Sequence, residues 1–558
     1  MRFIALDKFP IGLNCDEASL SYDAYSILET LSDRNGIFLP VYLLAWGSGQ
    51  SALLTYISIP FIAVFGLNIW ATRLPMATIS SISLVVFYKI MKRVLLSNET
   101  NRLNDDNVVY KNTDELRQYK FRQIVLLFAV LFFALNPWHI MKSRWALDCN
   151  LFPDFVLFGT YFLIKFFDSN GVGKTKDLVL AFIMLSISAY SYSSAYLGLT
   201  VFCILIYAYG IKTKKISIKQ ILLTIFVTLF ITWPLILFVI INFFDLNEIR
   251  LVFMTIPKLR INRMAEESIF GSGNVLISLL TNIFRTIKLY IFQDDKIYWN
   301  GIRGIGMYYL FSFPMFIIGV IWSRITHKYN IKETGAISIN NNVGASYTSP
   351  VIVNDIFFIW LISAFILNLF FKDININRAN FIIIPFIYFI IKGFKLLFNN
   401  KLLRVSSFVL LILCFSIFAF KYIDGNLKKA NNIYIEGVNV SEYDCFTVGI
   451  EPVLKYVDSL DVNEINLGGT AAEPYINVLY YLKIDPQYFY KNHKLIDKKG
   501  SFNNVKSLGK WNFVFPSYLK EDNKIVYVFD ISLRKRIDQT KFDIVDFDNY
   551  IVVRYKSS

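Results

Sequence analysis

Long apolar runs, broken by short basic or mixed stretches, dominate the chain. A helix needs about 20 apolar residues, within a range of roughly 17–25, to cross some 30 Å of hydrocarbon. Ten segments approach that length: 73–93, 121–137, 151–167, 178–191, 195–210, 219–241, 307–323, 353–371, 379–395 and 405–421. The stretch 178–210 divides at the polar turn Ser191-Tyr192-Ser193-Ser194. Two further apolar runs are expected at the outer surface. The run 53–66 is too short to cross. The run 277–292 repeats Ile277, Leu280, Phe284, Ile287 and Ile291 at helical spacing, with Arg285 and Lys288 on another face, as an interfacial helix does.

Basic residues set the orientation. Lys89, Lys92, Arg93, Arg117, Lys120 and Arg122 lie around the first connection, Lys174 and Lys176 in the third, and Lys212, Lys214, Lys215 and Lys219 in the fifth. Arg324 follows the seventh run, and Lys392, Lys395, Lys401 and Arg404 surround the ninth connection. Every second loop is basic, which predicts that those loops are cytoplasmic. Residues 1–72, 138–150, 242–306 and 372–378 then lie outside, together with everything after 421. For a chain that starts outside without a signal peptide, either the first span exports its N-terminus unaided or, the expectation preferred here, an additional helix lies upstream of Met1.

After residue 422 the apolar runs shorten and are bounded by Asp, Asn, Lys and Gly. Segments 465–467, 513–515, 525–529 and 551–553 read as strands, and 451–460 and 474–482 as helices. The expected architecture is a polytopic α-helical membrane protein of about 10–11 transmembrane helices over residues 1–421, followed by a small extracytoplasmic α/β domain over 422–558.

Composition agrees with the pattern. Of 558 residues, 55% are hydrophobic and 18% charged, which is a membrane composition. The formal charge of +15 is a consequence of topology and needs no nucleic acid as partner. Five cysteines without CxxC spacing, and three histidines far apart, argue against a zinc ribbon, an iron–sulfur cluster, a disulfide scaffold or a histidine metal site.

Ionisable groups at a membrane boundary are candidates for chemistry. Three polar clusters fall on the outer side: Asn14-Cys15-Asp16-Glu17, then Trp138-His139 with Ser143-Arg144 and Asp148-Cys149-Asn150, and finally Asp373 with Arg378-Ala379-Asn380. Each has a plainer reading. Asp16 and Glu17 suit a helix N-terminus, Arg144 suits an interface anchor, and Arg378 beside Asp373 suits a surface ion pair. His139 after Trp138, and the tyrosines Tyr190, Tyr192 and Tyr196, suit an aromatic belt. Cys15 and Cys149 each flank an acid, and a disulfide between the two loops is open as an alternative.

The segment Pro10-Ile11-Gly12-Leu13-Asn14-Cys15-Asp16-Glu17-Ala18 resembles the first external loop of the GT-C glycosyltransferases, the polytopic family that includes protein O-mannosyltransferases and the aminoarabinose transferases of lipid A. The likeness continues through Phe65-Gly66-Leu67, Ala71-Thr72-Arg73-Leu74-Pro75 and Ser143-Arg144 with Asp148. It departs at the start, because the family opens with a transmembrane helix before the acidic loop. The resemblance implies transfer of a sugar, with inversion, from a polyprenyl-phosphate carrier to a protein, lipid or polysaccharide acceptor at the outer face.

On that reading Asp16 is the base that takes the acceptor proton, with Glu17 as the alternative. Arg144 and Arg378 face the donor phosphate. Asp148 and Tyr192 contact substrate. No cofactor or metal is called for, since the first loop has no DxD triplet; Asp294-Asp295 is a weak exception. The expected location is a bacterial plasma membrane. The competing reading is a transporter, flippase or ligase for lipid-linked saccharides. A transporter would place charges and broken helices at mid-membrane.

Overall fold

The computed structural model describes residues 1–46, 48–96, 113–169, 173–260, 268–271, 274–297, 299–326, 349–430, 446–468, 473–496 and 505–556. Helix α1 (Cys15–Thr30) starts at a capping box, in which the Asn14 side chain accepts from main-chain N–H groups and the Glu17 carboxylate reaches back to the Asn14 N–H. A short hairpin of β1 (Tyr42–Leu43) and β2 (Gln50–Ser51) follows, with Leu43 opposite Gln50. Gly49 makes this turn feasible, since a Cβ there would sit 2.6 Å from the Leu43 carbonyl oxygen. Helix α2 (Leu53–Phe65) is short and apolar, and lies against α1 through the Thr55 hydroxyl, which donates to the Leu20 carbonyl.

The apolar runs then fold in sequence as α3 (Ile69–Leu96), α4 (Thr113–Ala134), α5 (Pro137–Ser143), α6 (Phe152–Phe167), α7 (Thr175–Ala189), α8 (Tyr196–Lys212) and α9 (Ile218–Phe243). They continue as α10 (Val275–Phe292), α11 (Leu310–Thr326), α12 (Ser349–Leu369), α13 (Ile383–Leu397) and α14 (Lys401–Ala430). Between α9 and α10 a small ribbon pairs β3 (Ile249–Arg250) with β4 (Thr255–Ile256). Seven described helices are long and apolar enough to cross a membrane, and an eighth forms if α4 and α5, bent by 49°, count together. The protein is therefore a polytopic helical membrane protein.

Each of the ten expected spans is helical, and their ends sort by charge. On one side Lys165 pairs with Asp177 at 2.7 Å, Arg324 with Asp355 at 3.1 Å, and Arg93 with Asp168. On the other side the mixed loops interlock. Trp138 N–H donates to Met307 O, Tyr309 Oη to Leu135 O, and Leu53 N–H to Tyr190 O. Loops assigned to one membrane face by charge thus meet in one layer.

Helix α10 has the length and composition of a span, yet it crosses the end of α12. Asn282 donates to Leu369 O and Phe371 O, while Tyr290 meets Asn368. Asn282 and Tyr290, eight positions or about 12 Å apart along α10, thus both meet the four residues 368–371 at the end of α12. Its outward face carries exposed Leu276, Ile277, Leu280 and Phe284, as an interfacial helix does.

The C-terminal part holds α15 (Ile450–Asp458), β5 (Glu464–Asn466), α16 (Pro474–Tyr481), α17 (Pro486–Asn492), β6 (His493–Leu495), β7 (Val505–Leu508), β8 (Trp511–Asn512), β9 (Ile525–Asp530), β10 (Phe542–Asp546) and β11 (Tyr550–Tyr555). The strands form one sheet ordered β10-β11-β9-β5-β8-β7-β6, parallel only where β5 meets β8 and β9. Segment 513–515, expected as a strand, lies just past β8, where the chain approaches Pro516 and leaves Val514 and Phe515 partly exposed. The core of this domain is continuous with the first loop. Leu13, Ala18, Tyr22 and Trp46 pack in one cluster with Ile450, Leu454, Tyr475 and Leu479. Gly12 permits the junction, at φ +77° and with a Cβ position 1.9 Å from the Phe446 carbonyl oxygen.

At the centre of this loop layer lies an ion pair with no solvent access. Arg73 Nε and Nη2 each donate to Glu17 at 2.9 Å, and both side chains are 0% exposed. The remaining Arg73 donors bind the carbonyls of Leu6, Pro10 and Gly12, and Glu17 also accepts from Ala146 N–H at 3.0 Å. Arg73→Met should lower stability by about 3–5 kcal/mol, because it strands a buried carboxylate. Glu17→Gln on that background should restore part of the loss, read as thermal unfolding of the purified protein in detergent.

Candidate functional site

Asp16 occupies the first turn of α1, the position that favours a carboxylate at a helix N-terminus. Its Oδ1 accepts from Trp46 Nε1 at 2.8 Å and from Gln50 Nε2 at 2.9 Å. Both donors belong to the β1–β2 hairpin. The orientation of the Gln50 amide follows from a chain of hydrogen bonds. Arg34 Nη1, which can only donate, binds Ser19 Oγ at 2.8 Å. The Ser19 hydroxyl therefore donates to Gln50 Oε1, also at 2.8 Å, which turns Nε2 toward Asp16. Arg34 is itself buried and paired with Asp23 at 2.9 Å. A fixed cation thus sets the direction of every donor up to the Asp16 carboxylate.

The next residue of β2 holds the second acid. Ser51 N–H donates to Asp148 Oδ2 at 3.1 Å, and Cys149 N–H donates to Oδ1 at 2.7 Å. Asp148 opens the turn before α6 and lies within electrostatic reach of Asp16. Consecutive residues of one short strand therefore bring together two carboxylates from separate loops.

A cation from the second loop completes the arrangement. Lys142, buried on α5, donates to Asn300 Oδ1 at 3.0 Å and to Asn377, and its ammonium lies 4.4 Å from the Trp145 ring centroid. Asn380 of the third cluster donates to Cys149 O at 2.7 Å. Asp295 accepts from Asn300 and from Ile376 N–H, which joins the loop after α10 to the same layer. Beside Lys142 a narrow recess is lined by Met141, Trp145, Trp299, Ile302, Tyr422 and Phe446. Tyr192 packs on the adjoining cluster of Trp145, Leu147, Cys149 and Phe446.

Other expected residues serve different ends. Glu17 is the buried partner of Arg73 and has no solvent access for proton transfer. Arg144, expected at the donor phosphate, donates instead to the carbonyls of Met1, Ala5 and Phe9, and so holds the N-terminal segment down. Arg378 is half-buried, and its Nη1 donates to the Asp373 carbonyl at 2.9 Å rather than forming the expected surface pair with that side chain. His139 is buried rather than interfacial, with Nδ1 2.7 Å from Arg2 and Nε2 3.7 Å from Asp154. Tyr190 donates into the α9 backbone at Ile231. Cys15 and Cys149 are not joined by a disulfide.

Trp46 and Gln50 carry no motif that marks them in the sequence, and Lys142 stands out there only as a cation without a matching motif. Lys142 precedes Ser143-Arg144, so its place on the second outer loop was the available signal. Among the described residues no group of three His, Cys, Asp or Glu side chains is arranged to hold a metal ion.

No protein-family model matches the chain, and no curated protein sequence matches it. Among solved structures it is similar to ArnT from Cupriavidus metallidurans, in the apo state and bound to undecaprenyl phosphate, at 12% identity and TM-score 0.48 over 99% of this chain and 95% of that one. It is also similar to the archaeal oligosaccharyltransferase AglB from Archaeoglobus fulgidus, in complex with an inhibitory peptide and a dolichol-phosphate, at 11% identity and TM-score 0.45 over 94% of this chain and 66% of that one. At these identities the likeness is one of fold.

Proposed function

We propose that the chain is an inverting glycosyltransferase that moves a sugar from a polyprenyl-phosphate donor to an acceptor at the outer face of the membrane. The observation that carries the reading is the pairing of Asp16 with Asp148 by adjacent residues of β2, in a layer that also holds the buried cation Lys142. The motif resemblance of the first two outer loops supports it.

In the proposed reaction an acceptor hydroxyl attacks the anomeric carbon while the carbon–oxygen bond to the lipid phosphate breaks. The hydroxyl proton passes to Asp16, and the electron pair of the broken bond leaves with the phosphate. Hydrogen bonds from Trp46 and Gln50 hold the Asp16 carboxylate in one orientation. Asp148 orients the sugar or acceptor hydroxyls. Negative charge growing on the phosphate meets Lys142, with Arg378 on the third loop as a second cation. Tyr192 and the aromatic cavity beside Lys142 take the sugar and the first isoprene units.

Charge placement favours transfer over transport. The acids at issue sit at the outer ends of helices, and Asp154, inside α6, lies in that helix's first turn, where Ser83 donates to it at 2.6 Å.

Membranes carrying the protein, incubated with labelled polyprenyl-phosphate sugars, provide the assay. Asp16→Asn keeps the shape and loses the base, and should abolish label transfer while insertion and expression stay normal; ordinary turnover by this variant would remove the assignment. Gln50→Leu should lower kcat by roughly tenfold to a hundredfold with little change in donor KM. An unchanged kcat would show that the relay from Arg34 does not act on Asp16.

A further inference from the structure

A second recess, of about 680 Å³, opens between the first outer loop and the C-terminal domain. Four of its lining residues form a continuous run of rings. His493 stacks on Phe489 at 4.6 Å and 15°, Phe489 stacks on Tyr475 at 5.9 Å and 2°, and Tyr475 meets Trp46 edge-on at 6.2 Å. The run ends at Asp16, because the Trp46 indole N–H donates to that carboxylate.

Trp46 is held at φ +55°, a left-handed conformation that a bulky side chain rarely adopts and that tends to accompany function. The Arg34 guanidinium lies 5.6 Å from the Trp46 ring centroid and hydrogen-bonds the Tyr475 side chain, so both rings are braced from behind. Near them Glu473, 5% exposed, keeps Oε2 without a protein partner. Besides the rings, the wall carries Asn35, Ser48 and Arg260, and among the described residues no carboxylate side chain lines it.

We propose that this recess binds a saccharide, the acceptor of the reaction, with its sugar rings stacked along His493, Phe489, Tyr475 and Trp46 and its reacting hydroxyl delivered to Asp16. The proposal rests on the glycosyltransferase reading and adds the acceptor's chemical class. Flat rings beside amide, hydroxyl and guanidinium donors match the alternating apolar faces and hydroxyl edges of sugars. A peptide is the other class that could enter, by adding a strand to β6, the edge of the sheet. That edge is poorly suited to it: β6 has three residues, a register shift at Lys494/Leu495 and a central lysine.

The test is binding, which needs no turnover. The full-length protein in lipid nanodiscs is screened by saturation-transfer NMR against a panel of neutral and acidic oligosaccharides, and in parallel against a peptide library. At least one oligosaccharide should bind through its ring C–H faces. Phe489→Leu, which keeps the core filled, and His493→Leu, at the outer end of the run, should each weaken that binding about five- to tenfold. Asp16→Asn should leave it intact. No bound oligosaccharide, binding indifferent to both ring substitutions, or a peptide ligand weakened by Phe489→Leu would each overturn the proposal. Failure of Asp16→Asn to stop label transfer, with saccharide binding preserved, would instead remove the base and leave the recess as a saccharide site.

Discussion

The layer of converging loops is organised around one carboxylate. Glu17 accepts from two nitrogens of Arg73, from the main chain of Ala146 and from the main chain of Asn14. Those contacts join the start of α1, the outer end of α3 and the loop that carries Asp148. An isolated buried charge costs several kcal/mol, and a pair is tolerated only when its remaining hydrogen-bonding capacity is filled. Here it is filled by backbone groups of segments that have no other reason to meet. The pair therefore works as a register pin: Asp16, adjacent in sequence, inherits a fixed position without contributing to the pin itself.

From that position the hairpin becomes decisive. Its two strands are two residues each, too short to be stable alone. It is held by what it touches: Gln50 by Ser19 and Asp16, Ser51 by Asp148, and Trp46 by Arg34 and Tyr475. The same element brings two acids together and forms the wall of the recess toward the C-terminal domain. Membrane layer and sheet domain thus share one core, and the acids lie at their boundary.

What could be read from the chain followed the bilayer. Hydrocarbon thickness dictates the length of apolar runs, so the helices stood out; lysine and arginine placement dictates sidedness, so the converging loops were correctly grouped. The acid at 16 and the acid at 148 were legible as carboxylates of loops at the ends of apolar runs. The role of Arg144 was not, because a guanidinium that binds backbone carbonyls looks the same in sequence as one that awaits a phosphate. The hairpin left no periodicity to detect in four residues. The relay through Ser19 and Gln50 consists of ordinary polar residues whose meaning is set only by Arg34, a residue brought to them by the turn after α1. The third-loop arginine illustrates the converse, since its neighbour Asp373 suggested a side-chain pair where a carbonyl is the acceptor.

The central claim is that the first loop, the third polar cluster and the C-terminal domain share one face of the membrane, opposite the basic loops. Single cysteines at positions 35, 375 and 494, and at 92, 176 and 214, introduced into a chain whose five native cysteines are replaced, can be probed in sealed vesicles with an impermeant maleimide. The first three should react from one side and the last three only from the other. Reaction of position 35 from the side that labels 176, or of 35 and 494 from opposite sides, would contradict the account.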